Sequence, residues 1–103
     1  MQENKIQDYT IEGFIIPIIR EDIKCYASVN AEMYLDNDEL DPTGLYHVYL
    51  LHYRYGSCNF LLDQEIGTGK WFSKNAPPYV EADIIFEIGT EITFRKDTRE
   101  NSN

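Results

Sequence analysis

The sequence predicts an all-β domain, a small antiparallel barrel or sandwich of five or six strands with at most one short helix. Three observations carry this expectation. Residues 23–35 alternate, with Ile23, Cys25, Ala27, Val29, Ala31, Met33 and Leu35 on one side and Lys24, Tyr26, Ser28, Asn30, Glu32 and Tyr34 on the other, which is the period of a half-buried strand. Residues 84–95 alternate almost as well. The chain also holds eight Tyr and 14% aromatic residues, and these favour pleated surfaces. At 103 residues and 43% hydrophobic, the chain fits one domain, 1–103, with a core of its own. The polar ends, 1–7 and 96–103, are expected to fray.

The elements follow in order. Tyr9–Ile19 reads as a strand, and Pro17 places it at an edge or interrupts it, because proline cannot donate to a ladder. Residues 23–35 form the second strand. The stretch Asp36-Asn37-Asp38-Glu39-Leu40-Asp41-Pro42-Thr43-Gly44 reads as an acidic, turn-rich connection. Residues 45–55 are dense in Tyr, Leu and Val and read as a third strand, with Gly56-Ser57 turning into a fourth at Cys58–Leu62. Residues 63–78 read as a long loop containing Gly67, Gly69 and Trp71, and long loops in small domains are often functional. The last strand places Ile84, Phe86, Ile88, Ile92 and Phe94 on one face, with a bulge or turn at Gly89-Thr90.

Charge narrows the function classes. Eighteen Asp and Glu against nine Lys and Arg give −9, which argues against binding nucleic acid and against docking on anionic membranes. Residues 1–50 hold ten of the acids against three bases, a net of −7. No apolar run approaches the roughly 18 residues of a membrane span. Met1–Lys5 lack the basic and apolar regions of a signal peptide. A cytoplasmic protein is therefore expected, with Cys25 and Cys58 as free thiols.

Motifs with specific chemistry fail on inspection. Asp36-x-Asp38-x-x-Asp41 would need a ligand at Leu40, glycine at Asp41 and glutamate at His47 to be a calcium loop. Gly67-Thr68-Gly69-Lys70 has Gln64 and Trp71 where a phosphate loop needs glycine and a hydroxyl, so a glycine-rich hairpin or a loop bend is expected. His47 and His52, five apart on a strand, point to opposite faces. No serine sits in a nucleophile elbow. The expectation is no enzyme, no metal and no cofactor.

The aromatics remain. Tyr49, Tyr53 and Tyr55 share a face of the 45–55 strand with Leu45 and Leu51, while Tyr46 shares the other with Val48 and Leu50. Tyr26 and Tyr34 sit on the polar face of the 23–35 strand. Trp71-Phe72, beside Gly69, either folds back on the core or presents a hot spot. The candidate partner-binding residues are Tyr26, Tyr34, Asp36, Asp38, Glu39, Asp41, Trp71 and Phe72. They point to a non-enzymatic acidic domain, an inhibitor in character, docking on a protein partner with a basic surface. In composition the chain resembles bacterial immunity proteins and phage-encoded inhibitors of host defence, which are short, acidic and cysteine-poor. The alternative is a small-ligand-binding β-barrel with the 63–78 loop as lid and a cavity lined by Tyr49, Tyr53 and Trp71. Self-association through an edge strand is a third reading.

Overall fold

A computed structural model describes residues 6–10 and 13–100, with side chains for 13–96. Its frame is one long hairpin of β3 (Ile23–Asp36) and β4 (Glu39–His52), 14 residues each. On one side of β3 lie β1 (Ile6–Thr10), against residues 32–34, and β2 (Phe14–Arg20), against residues 23–29. On the other side β5 (Gly56–Gln64) pairs with β4, and the two-residue β6 (Trp71–Phe72) pairs with the end of β5. The six strands make an antiparallel sheet curled into a half-barrel. Pro17 lies in β2, which pairs only with β3, so its missing donor costs no ladder bond.

The open side of the half-barrel is filled by α1 (Ala82–Glu100). Ile84, Ile88 and Ile92, four apart on one helical face, are 0–1% exposed. They meet Ile16 and Ile18 of β2, Ala27 and Val29 of β3, Val48 and Leu50 of β4, and Phe60 and Leu62 of β5. Burying each large side chain of this set is worth about 1.5–3 kcal/mol.

The helix corrects the expected last strand. Ile84, Ile88 and Ile92 satisfy a period of two and a spacing of four at once. Phe86 and Phe94, which completed the apparent alternation, stay in solvent at 68% and 63% exposed. The apparent break at Gly89-Thr90 is no bulge either, for Gly89 lies inside the helix, where Trp71 closes on its backbone. Glu81 caps the first turn, its carbonyl accepting from the amides of Ile84 and Ile85, and Asp83 sits in that turn, where a negative charge is favoured.

The connections are tighter than expected. Asn37 and Asp38, both left-handed (φ 52° and 65°), join β3 to β4 as a two-residue turn of the type that matches strand twist. Residues 39–44 therefore belong to a strand rather than a loop. Glu21 and Asp22 (φ 53° and 64°) make the same turn between β2 and β3. The β4–β5 turn is Tyr53–Tyr55, just ahead of the expected Gly56-Ser57. The expected 63–78 loop is a small hairpin: β5 runs to Gln64, Glu65 and Lys70 close a turn through a 2.7 Å backbone bond, and β6 returns. Gly67 and Gly69 occupy that turn with positive φ, as a glycine hairpin requires.

Cys25 and Cys58 are free. No described helix is long and apolar enough to cross a membrane. Of the ends expected to fray, β1 takes in Ile6 and Gln7 and α1 reaches Glu100, while 1–5 and 101–103 lie outside the described residues.

Candidate functional site on the open face of the sheet

Alternation divides each strand between two faces. One face packs on α1. The other receives Tyr26, Ser28, Asn30, Glu32 and Tyr34 from β3, His47, Tyr49 and Leu51 from β4, and Ile15, Pro17 and Ile19 from β2. Register makes neighbours of them, for Ile15, Ser28, Tyr49 and Asn59 form one cross-strand row and Pro17 pairs with Tyr26. Leu51 falls beside Tyr26, one residue past the Ala27–Leu50 pair. Ile15 is 61% exposed, Ile19 59%, Tyr49 56%, Leu51 46% and Tyr26 44%, so no described element covers this face. Apolar groups gathered this way on a small domain mark an interaction surface more often than chance.

Acids stand at both ends of the face. Glu21 and Asp22 form the β2–β3 turn, and Asp36, Asp38, Glu39 and Asp41 surround the β3–β4 turn. Glu21 is bound by Arg54. Tyr26 and Tyr34 share the face, but eight residues of strand put them roughly 26 Å apart. Trp71 is on the other side, edge-on to Tyr46 at 5.7 Å between ring centroids and donating from Nε1 to Thr93 Oγ1 at 3.2 Å. Of the two placements open to it, Trp71 takes the folded-back one. Phe72 follows it in β6, half-buried. Trp71 and Tyr26 thus share no face, and Tyr49 and Trp71 line no common cavity.

Between the apolar patch and the acidic turn lies a group the alternation hid. Glu32 occupies an outward position of β3 yet is 5% exposed. Opposite it β4 carries extra residues: Ala31 pairs with Tyr46 but Met33 with Pro42, and Gly44 takes φ 95°. This bulge turns Thr43 inward, so that its hydroxyl donates to Glu32 Oε1 at 2.9 Å and accepts from the Leu45 amide at 3.1 Å. Glu32 Oε2 lies 2.9 Å from His47 Nε2. Bulges commonly re-aim side chains at sites of this kind. The carboxylate borders a depression of about 440 Å³ walled by Ser28, Asn30, Tyr49, Leu61 and Asn75.

A second cluster was illegible in the sequence. His52, on the helix side, has a fully buried side chain. Its Nδ1 accepts the amides of Arg54 at 3.0 Å and Tyr55 at 3.3 Å, so Nε2 carries the proton donated to Glu81 Oε1 at 2.9 Å. Tyr53 donates its hydroxyl to Glu81 Oε2 at 2.5 Å. The bonds from Tyr53 and then His52 hold the Glu81 carboxyl down at about 2, and the same carboxylate raises the Tyr53 hydroxyl. The His52 ring stacks on Tyr53 at 4.6 Å and meets Tyr79 edge-on at 5.2 Å. With His52 sealed, the cluster is a brace. It ties the start of α1 to the β4–β5 turn.

No family model, no curated protein and no solved structure matches the chain. The open face therefore speaks for itself. Among the described residues no three His, Cys, Asp or Glu side chains gather where a metal could be held.

Proposed function

We propose that this protein is a non-enzymatic binding domain that docks its open sheet face on a basic surface of a partner protein, acting as an inhibitor of the immunity or anti-defence type. The observation that carries the reading is the uncovered patch of Ile15, Ile19, Tyr26, Tyr49 and Leu51, with acids at both ends of its long strand. Tyrosine supplies contact area at low entropic cost, and the neighbouring isoleucines and leucine add apolar surface. The acids around the β3–β4 turn draw a cationic partner and set its orientation. Trp71 packs between the sheet and α1 on the side away from this face, and Phe72 follows it in β6.

The test is affinity capture from the native host's lysate at low and moderate salt with three baits. These are the natural chain, a Tyr49→Ala/Leu51→Lys variant of the face, and a Phe94→Lys variant on the opposite, helical side. The expected result is one partner retained by the first and third baits, lost by the second, and held less well as salt rises. Equal retention by all three baits sinks the proposal.

A further inference from the structure

We propose that the depression floored by Glu32 is a receptor for a single arginine side chain, the anchor by which a partner seats on the open face. The inference rests on the docking reading above and gives it a chemistry.

Glu32 is the starting point. Its side chain is 6% exposed, while its neighbours on the face, Asn30, Tyr34 and His47, are half-buried. Removing a carboxylate from water costs several kcal/mol unless cations or donors replace the lost hydration. Thr43 and His47 supply one contact to each oxygen. A carboxylate offers about four lone-pair sites, and among the described residues Thr43 and His47 account for two of them. No Lys or Arg among the described residues pairs with Glu32, its one ionic partner being His47, which is half-exposed. The site is thus short of positive charge, and its geometry is held ready by the Thr43 bulge.

The walls select the cation. Tyr49 presents an exposed ring at the rim, and aromatic rings attract a guanidinium through both charge and stacking. The Asn59 amide oxygen and the Ser28 hydroxyl line the depression and can accept the outer N–H groups, while Asn75, whose Oδ1 is taken by the Leu61 amide and the Ser73 hydroxyl, only walls it. A guanidinium brings five donors in a planar fork that fits a carboxylate. The open volume of about 440 Å³ admits such a side chain. An anionic group is repelled by Glu32, and a neutral apolar one leaves its carboxylate unsatisfied.

The probe is N-acetyl-argininamide, titrated into the full chain and followed by amide chemical shifts. N-acetyl-citrullinamide, its uncharged isostere, is the control. Saturable shifts centred on Asn30, Glu32, His47 and Asn59 are expected with the arginine probe and none with the citrulline probe. Glu32→Gln should weaken binding at least tenfold. Asn59→Lys places an ammonium on the exposed wall without touching the Glu32 contacts, and it should abolish binding in a chain that still folds. Equal shifts from both probes, no shift at about 50 mM arginine probe, or unimpaired binding by Asn59→Lys each overturn the proposal. The Tyr49→Ala/Leu51→Lys variant separates the two readings. Should the natural chain and that variant capture a partner equally while the arginine probe still binds, the docking face is wrong and the pocket stands. Should capture depend on the face while the probe never binds, the pocket alone falls.

Discussion

Gly89→Ala inverts the usual effect of its substitution. In an exposed helix interior, alanine for glycine gains about 1 kcal/mol. At Gly89 a Cβ would lie 2.1 Å from Trp71 Cγ, 2.4 Å from Cδ1 and 2.6 Å from Cδ2, more than an ångström inside ordinary carbon contact. The indole cannot simply yield, since Tyr46 stands on one side and its Nε1 is held by Thr93. Overpacking of this kind costs about 1–3 kcal/mol and more where a ring must leave its site. The net expectation is a loss of about 1–2 kcal/mol, or roughly 5–15 °C in Tm for a domain of this size. Thermal unfolding by circular dichroism reads the loss. Trp71 is the sole tryptophan, so its emission, shifted red as the ring is expelled, reads the cause. In a Trp71→Ala background, which removes Cγ and both Cδ atoms, the obstacle is gone, and the same glycine change should turn stabilising. A Gly89→Ala protein as stable as the natural one, with unaltered emission, refutes the reasoning; so does a double variant in which the sign fails to reverse.

Other expectations concern the brace, the turns and the face. Because Glu81 titrates near 2 in the folded chain and near its ordinary value of 4.5 when unfolded, its contribution is present above about pH 4.5 and is lost as pH falls toward 2. The side chain is 40% exposed, so screening reduces that contribution to about 1 kcal/mol; Glu81→Gln should show a correspondingly shallower drop in Tm between pH 5 and pH 2.5. Asp38→Gly relieves a left-handed residue (φ 65°) and creates the favoured Asn-Gly turn, for a gain of about 0.5–1 kcal/mol in chemical denaturation. Gly13→Ala would set a Cβ 1.9 Å from the Val29 carbonyl oxygen; since that obstacle is backbone, expression and Tm should fall further than for Gly89→Ala. Leu51→Lys, by contrast, changes a side chain 46% exposed and should leave the unfolding free energy within about 0.5 kcal/mol of the natural value in chemical denaturation.

The sheet was legible because β3 obeys the simplest rule available. Every odd residue from Cys25 to Val29 is buried and Tyr26 is exposed, so alternation named both the strand and its two faces. The same rule placed His47 and His52 on opposite sides, where Glu32 and Glu81 receive them. It failed at residues 84–95 because a stripe at every fourth residue also fits every second one. The discriminating fact, that Phe86 and Phe94 face solvent, depends on where the sheet lies. The acidic stretch looked like a loop from Asp, Pro and Gly. Pro42 and Gly44 in fact serve a bulge inside β4, and Asn37-Asp38 were the real turn signal. Glu32 could not be found at all. Alternation assigns it to the polar face, and its partners Thr43 and His47 come from a strand eleven or more residues on, brought to it by a bulge.

The acidity of the chain is uneven in a way that solubility alone does not require. Three of the described arginines are spent within the molecule: Arg20 on Glu87 and Asp83, Arg95 on Glu91, and Arg54 on Glu21. Those pairs largely cancel charge along the helix and at the β2–β3 end. Asp36, Asp38, Glu39 and Asp41 have no Lys or Arg pair among the described residues, and Glu32 is answered by a histidine alone. The negative field therefore survives at the β3–β4 end of the open face. From Asp36 to Glu32 is about 13 Å of strand, beyond one screening length of about 8 Å at physiological salt. The turn acids therefore cannot substitute for a direct contact at Glu32. On the proposed docking they would raise the local concentration of a cationic partner, while the buried carboxylate would hold the one group that reaches it. Steering and anchoring are then separable in measurement. Neutralising the turn acids should lower the association rate and its salt dependence, while Glu32→Gln should raise the dissociation rate. A partner whose two rates respond the other way round would show that the acidic turn, and not Glu32, makes the contact.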